Sequence, residues 1–470
     1  MKPFRSNPSF PGALVGLAIL LVSSCSTGID RNLVVERSRF LYGQDDVALS
    51  SEIQEGRINA SGQRPKELFE DTELESWVRY GLEHNTSLKA AFDRWRSATE
   101  RVAQVEALPD PIFTFFQFVE DLQTRTGPQK RRYGISQALP WFGKLDLEGQ
   151  VAAGDSEVLW QQVMQLRLQV EAEIRIAYYE YGYLGEAIRI TGENLQLLQQ
   201  LEPVVQRGIQ AGRGQEDLLR LQVEIGKLEN DVLSLQRLKP AISARLALAV
   251  HWTGEETLPM PRLTEPDLGS VESERLIGQV EQRNPRIRAL RESVLRDRKR
   301  ADLAGLAGAP DFVVGFEYME TGSALNPTTP DSGKDPYGFR LSLNLPIQRS
   351  KYSAAEREAN LALSATRSSL RELSLRLQSD LANELYRVDD ATRQVRLHKD
   401  TLLPRARESL TVTRTSYSAG KASLLDLIDS ERALLAFETT YWRACRDAWQ
   451  GRARLDVILG GKENAAIEKK

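Results

Sequence analysis

Residues Tyr337 to Pro346 read YGFRLSLNLP, and their alternation decides the fold. Phe339, Leu341, Leu343 and Leu345 alternate with Arg340, Ser342 and Asn344. A period of two sends apolar side chains to one face of a strand and polar ones to the other. A strand of this length, apolar outside and polar inside, suits a barrel in lipid. After Pro346 the pattern switches to a long helix. The same unit occurs about 200 residues earlier, where YGISQALP, Tyr133 to Pro140, also precedes a long helical pattern.

Composition narrows the class. The 470 residues carry 62 Lys and Arg against 65 Asp and Glu, a net charge of −3. There is no basic excess and no basic run interleaved with aromatics, so nothing points to nucleic acid. The length suggests two or three domains. Cys25 and Cys445 do not make a disulfide framework. His84, His251 and His398 are scattered along the chain. Beyond the N-terminus no run is apolar for the roughly 18 residues of a spanning helix, so any membrane crossing must use strands.

The N-terminus has the form of a secretory signal. Lys2 and Arg5 precede an apolar core, Ala13 to Val22. Val22-Ser23-Ser24-Cys25 then resembles a bacterial lipobox, which makes Cys25 the expected lipidation site. The bland alternative is a plain signal peptide with a chance cysteine. Several acyl chains hold a protein near-permanently, at about 0.8 kcal/mol per buried methylene. Ser26 in place of Asp favours outer-membrane sorting, by resemblance to bacterial lipoproteins. Residues 26 to about 68 lack periodicity and read as an extended tether.

Helical spacing of Leu74, Trp77, Val78 and Leu82 opens the folded part, and Asn85 ends that helix. A helix over about Ser87 to Ala107 is broken by the prolines of Leu108 to Pro111. Ile112 to Phe118 (IFTFFQF) predicts a lipid-facing strand, Glu120 to Arg131 a polar loop, and Tyr133 to Pro140 the second strand. Trp141 and Phe142 fit an interfacial aromatic girdle. Lys144 to Gln210 predicts one helix on the order of 90–100 Å long, with apolar positions Leu159, Val163, Leu166, Val170 and Ala177 and a kink at Pro203. Gly212 and Gly214 give a turn. Leu218, Leu221, Ile225, Leu228, Val232 and Leu235 then form a heptad seam, which Pro240 interrupts before an end near Val250. Thr253 to Glu265 links the halves.

The second half repeats this order. Asn284-Pro285 matches Asn85-Thr86, and Pro310-Asp311 matches Pro109-Asp110. Phe312 to Met319 is a third strand, Thr321 to Pro336 a loop, and the opening stretch the fourth strand. A second long helix carries Leu370, Leu373, Leu377, Leu381, Leu385 and Val388. Ala419-Gly420 matches Ala211-Gly212, and LLDLIDSER, Leu424 to Arg432, matches DLLRLQVE, Asp217 to Glu224. Four ordered landmarks of different kinds mark a tandem duplication.

Four strands cannot close a barrel, and open edges do not survive in lipid. Several copies must therefore pool their strands. Two copies give a tight eight-strand barrel and three give twelve strands with room for a lumen. The long helices are too charged for lipid and must continue the barrel outside it as a packed tube.

This order, behind a lipobox, resembles the TolC-like outer-membrane efflux proteins over essentially the whole mature chain. The segments ALPDP, QALPWFGKLDLEGQVA and AGRGQEDLLRLQVE are most similar to the heavy-metal branch, which serves resistance-nodulation-division pumps. The resemblance implies a mainly α fold with a small β part, made of two tandem repeats. It implies a homotrimer with a twelve-strand transmembrane barrel continuous with a periplasmic α-helical barrel. It also implies docking to a periplasmic adaptor and an inner-membrane pump. The chain then divides into a signal peptide (1–24), a lipid-anchored tether (25–70), two efflux repeats (71–266 and 267–463) and a polar tail (464–470). The expected location is the outer membrane of a Gram-negative bacterium, with the chain reaching into the periplasm.

No enzymatic constellation is present: there is no phosphate-cradling glycine loop, no zinc-spaced Cys/His set and no GxSxG. No cofactor is expected and the chain is read as no enzyme. Asp426 and Asp429 lie three apart on one helix face and are the candidate periplasmic gate. Three-fold symmetry would gather six carboxylates, a ring that attracts cations. The resemblance places acidic residues here at the constriction and Tyr417 in the closing network. A basic residue that the family can place five positions after that tyrosine is absent, since position 422 is Ala422, and Lys421, Arg213 and Arg207 are the candidate substitutes. The alternative is that the aspartates are helix-start residues favoured by the dipole. Gly212, Arg213, Gly420 and Lys421 mark the hairpin tips expected to dock the adaptor, or else C-cap turns. Arg340, Ser342 and Asn344 would face a lumen or a subunit seam. Cys445 reads as a buried free thiol. Met164, Met260 and Met319 offer no soft-ligand pathway for metal. The reading is a passive exit duct of a tripartite efflux system, with metal cations as one cargo. Drug efflux and type I protein secretion are alternatives within that channel type. A periplasmic coiled-coil scaffold is the alternative of another class.

Overall fold

The computed structural model describes residues 31–42, 65–70, 73–210, 214–266, 273–326 and 328–461. The chain forms two compact units. Among the described residues, one contains those within 31–36, 94–158 and 291–368, and the other those within 37–93, 159–290 and 369–461. The elements are α1 (Arg31–Tyr42), α2 (Lys66–Phe69), α3 (Leu74–His84), α4 (Thr86–Glu106), β1 (Ile112–Thr124), β2 (Gly127–Leu139), α5 (Lys144–Gln210) and α6 (Gln215–Ala249). They continue with α7 (Ser273–Arg283), α8 (Pro285–Gly305), β3 (Phe312–Thr321), β4 (Tyr337–Leu343), α9 (Arg349–Leu397), α10 (Leu403–Ser418) and α11 (Leu424–Leu459). The fold is mainly helical with one small sheet.

The first unit is built on that sheet. Its order is β1-β2-β3-β4, antiparallel throughout. Register decides what each face presents. Phe113 and Phe115 lie opposite Ile135 and Tyr133. Those two lie opposite Phe316 and Tyr318, which in turn face Phe339 and Tyr337. One face therefore carries rows of aromatic and aliphatic side chains across all four strands. Phe339 is 81% exposed and Phe113 67%. Arg340, one residue along, sits on the other face, where it pairs with Glu317 at 3.1 Å. Asn344 lies past the end of β4, and its side-chain oxygen accepts the Asp311 N–H. Asp311 in turn accepts from the Trp141 N–H and from Lys144 Nζ, both at 2.8 Å, and so holds the start of α5 against the foot of β3.

The stretch Glu120 to Arg131 is not a loop. β1 runs to Thr124 and β2 starts at Gly127, leaving only Arg125 and Thr126 to turn. A register shift between Gln117 and Leu122 absorbs the polar stretch, and the Thr124 hydroxyl closes the turn on the Gly127 carbonyl at 2.6 Å. The loop after β3 is fastened here as well: Gly322 N–H donates to Pro128 O at 2.7 Å and Gly333 N–H to Thr126 O at 2.8 Å. Gly127 has φ +134°, and a Cβ there would stand 1.7 Å from the Gly322 carbonyl oxygen. Gly127→Ala is expected to destabilise this loop clamp by about 1–3 kcal/mol. Limited proteolysis should show new cleavage within residues 322–336 while the rest of the first unit stays resistant.

Other differences concern prolines and the N-terminal segment. α6 is continuous through Pro240, where an interruption was expected, and α5 runs on through Pro203. Pro240 is exposed, so the carbonyl it leaves unpaired can bond water. The second long helix widens into a π turn, His398–Leu402, directly before Pro404, which sits in the first turn of α10. The wider turn makes room for the proline ring. Residues expected to be an extended tether include the helix α1. The Arg37 guanidinium lies 4.6 Å from the Trp160 ring centre and Arg167 lies 4.7 Å from that of Phe40, a reciprocal pair of cation–π contacts. Short elements of this kind are held by distant partners rather than by local periodicity.

The second unit is helical. Asn85 and Asn284 play matching parts in it. Asn85 Oδ1 accepts the Leu88 N–H at 2.8 Å, capping α4, and its amide meets the His251 ring at 3.3 Å. Asn284 Oδ1 accepts the Arg286 N–H at 2.9 Å, capping α8, and its amide donates to Ile458 O at 2.8 Å. Leu276, Val280, Ile287, Leu373, Leu377, Leu381 and Leu455 pack into one core of this unit. A second core lies at the hairpin tip.

Candidate gate at the hairpin tip

Four helix ends meet in this second core. The C-terminal part of α5 brings Leu198, Leu201 and Val205, and α6 brings Leu221, Ile225 and Leu228. Leu410 and Tyr417 come from α10, and Leu424, Leu427 and Ile428 from α11. Their spacing of three and four residues is the heptad seam read in the sequence, closed into a bundle. The seam loosens away from the tip, where Val232 and Leu235 are only partly buried.

The turn between α10 and α11 is tight. Gly420 has φ +73°, and its N–H donates to Tyr417 O at 3.0 Å. Lys421 N–H donates to Ser416 O at 2.8 Å, which leaves its side chain exposed. Ala422 packs partly buried against the tip core, so this position faces apolar neighbours. Tyr417, 2% exposed, is a member of that core.

Asp426 and Asp429 are both exposed on α11. Asp426 forms a capping box with Ser423. Its carboxylate accepts from the Ser423 N–H at 2.9 Å and hydroxyl at 2.7 Å, while its own N–H donates to the Ser423 hydroxyl at 3.2 Å. Those serine hydrogen bonds hold the Asp426 carboxyl below its ordinary range. Asp429 pairs with Arg432 at 3.5 Å. Within one chain, then, the two aspartates are tied to their own helix. Gly212, Arg213 and Cys25 lie outside the described residues.

Arg432 is the residue the sequence reading passed over. Its Nε donates to Glu224 Oε1 at 2.8 Å, and a terminal nitrogen donates to Oε2, so the guanidinium grips the carboxylate at two points. Lys227 stands 3.6 Å from the same group. Glu224 is largely buried at 10% exposure. Hydrogen bonding to Arg432 holds its carboxyl below the ordinary glutamate value of 4.5. The pair spans α6 and α11, and Glu224 and Arg432 close the two sequence segments that match between the halves. The offset of 208 residues is the same as between Gly212 and Gly420. The signal that finds it is that offset: a charge in one repeat opposite the reverse charge at the equivalent place in the other.

Cys445 is buried and free, and burial pushes its thiol up to about 12.

Residues 276–461 match the family model described as outer membrane efflux protein. Nodulation protein T of Rhizobium leguminosarum bv. trifolii is 21% identical over 482 residues, covering 95% of this chain and 96% of that protein. The outer-membrane channel OprN superposes with a TM-score of 0.69 at 19% identity, over 84% of this chain and 91% of its own. The transmembrane channel CusC does so at 0.70 and 16%, over 86% and 96%. The open state of the MtrE outer membrane channel of Neisseria gonorrhoeae gives 0.68 at 20%, over 83% and 89%. At these identities the solved structures establish the fold.

Proposed function

We propose that the chain is a TolC-like outer membrane efflux protein and serves as the exit duct of a tripartite efflux system, conducting solutes passively from the periplasm to the outside. The observation that carries this reading is the four-stranded sheet, apolar on one face, whose edges among the described residues are β1 and β4. Such a sheet is one third of a twelve-strand ring. Its strands alternate in direction, so β4 of one copy lies antiparallel to β1 of the next. A head-to-tail contact of this kind closes into a ring. Three copies supply twelve strands, leave a lumen, and turn the apolar face to lipid.

In this homotrimer the charged helices continue the barrel as a periplasmic α-helical tube. Cys25 carries the lipid anchor in the outer membrane. The tips around Gly212, Arg213, Gly420 and Lys421 dock a periplasmic adaptor, which links the duct to an inner-membrane resistance-nodulation-division pump. Asp426 and Asp429 line the constriction, and Tyr417 packs the turn that carries them. Metal cations are the first cargo class to test, because a ring of six carboxylates concentrates cations and the ALPDP and AGRGQEDLLRLQVE segments resemble the metal branch.

Purified trimer in planar bilayers tests the gate. Asp426→Ala with Asp429→Ala is expected to raise single-channel conductance and weaken block by multivalent cations. Unchanged conductance and block remove both residues from the gate. A Cys25→Ala chain separates duct from scaffold: a duct still requires detergent because its barrel holds it in lipid, whereas a scaffold turns water-soluble.

A further inference from the structure

Glu431 lies one turn beyond Leu427 and Ile428 on α11, on the side that faces the tip core. It is 2% exposed. Its Oε2 accepts from Asn194 Nδ2 of α5 at 3.3 Å, and its Oε1 is buried without a hydrogen-bond partner among the described residues. Asn194 stands one turn before Leu198, so the two form a polar layer capping the apolar bundle. The charges around it come from every side. Arg414 on α10 attracts the carboxylate and Glu438 on α11 repels it. On α6, Glu224 is held by Arg432, the residue after Glu431, and by Lys227. Among the described residues no charge-paired partner meets Glu431 directly. A buried carboxylate with one weak donor is costly, whereas the protonated acid needs far less.

We propose that Glu431 is a proton-binding site that sets how tightly the two hairpins of the tip pack, so that proton loss loosens the tip. The coupling to conduction rests on the duct reading above; the proton site itself does not. Burial, against the weaker help of Arg414, pushes the carboxyl up from 4.5 to about 7. The packed tip therefore binds more protons than a loosened tip in which Glu431 meets water. Raising the pH from 4.5 towards 7 then favours loosening, and above about 7 the effect levels off. Within that window one linked proton changes the packed-to-loose ratio about tenfold per pH unit.

Hydrogen exchange of the full-length purified protein tests this, read at pH 5.5 to 8 and corrected for intrinsic rates. Peptides covering Leu410–Tyr417 and Leu424–Ile428 are expected to lose about tenfold protection per pH unit up to about 7, then plateau. Peptides covering Leu373–Leu381 should stay level. Glu431→Gln should hold the tip peptides level at every pH. Asn194→Leu removes the one donor and should move the plateau to higher pH. Level tip protection in the natural chain, or an undiminished slope in either Glu431→Gln or, should that variant not fold, an unmoved plateau in Asn194→Leu, overturns the proposal. Bilayer conductance read at the same pH values separates the two readings. A sloping protection curve with no conductance sinks the duct and leaves the proton site. Conductance with level protection does the reverse.

Discussion

Phe339→Arg is expected to abolish stable insertion of the protein in the outer membrane, while Ser342→Arg inserts normally. Phe339 lies at the middle of the β3–β4 ladder opposite Phe316, with ring centres 5.4 Å apart, on the apolar face. Ser342 lies opposite Val313 on the other face, alongside Arg340. An arginine on the lipid face near the bilayer midplane costs about 2–4 kcal/mol. Three copies share the proposed barrel, so the total is about 6–12 kcal/mol per ring, comparable with the whole stability of a domain. On the opposite face the same side chain stands across from Val313 and beside Arg340, turned from lipid in the proposed barrel. The check is the amount of detergent-resistant oligomer in outer-membrane fractions. Equal loss in both variants means the faces are not divided between lipid and lumen. Equal assembly means the sheet is not in the membrane at all.

Arg432→Ala is expected to be the most open variant of the hairpin tip. It strands the Glu224 carboxylate, which is mostly buried and keeps only Lys227 at 3.6 Å. A hydrogen-bonded charge of this kind contributes about 1.5–3 kcal/mol. Arg432 is itself half exposed, which puts the loss nearer the lower end, about 1–2 kcal/mol. That corresponds to about 5–30-fold in the ratio of open to closed tips, read as open probability in bilayers. Arg432→Lys keeps the charge but not the two-point grip and should fall between. The pH dependence has the opposite sense to that of Glu431. Glu224 has its carboxyl lowered in the folded tip, so its contribution is complete above the ordinary value of 4.5 and disappears as pH falls through the lowered one. Natural and Arg432→Ala proteins should therefore differ throughout neutral pH and converge only in acid. A difference that vanishes between pH 6 and 8 contradicts the Glu224 contact.

Periodicity made most of this legible. The bounds of α5, Lys144–Gln210, follow from breakers and a repeating apolar position, both local properties. The existence of the four strands and the matching helix breaks at Asn85 and Asn284 were legible in the same way. The ends of β1 and β2 did not show, because the residues beyond Phe118 are mostly polar and their strand character comes from pairing with Gln129, Pro128 and Gly127. Helix α1 was hidden for a related reason, since it is held by Trp160 and Arg167, more than a hundred positions away in the chain. Cys25, Gly212 and Arg213 were named from sequence motifs and lie outside the described residues.

By itself the sequence determined the element order, the duplication and the two-faced strands, because each is written in spacings of two, three or four residues. Only the tertiary structure decided which charges matter. It tied Asp426 to Ser423, set Glu224 against Arg432 across the two repeats, and buried Glu431 in the tip core. A carboxylate's solvation and partners depend on what lies across from it in space. On a charged helix every third or fourth residue looks alike until the neighbouring helices are in place.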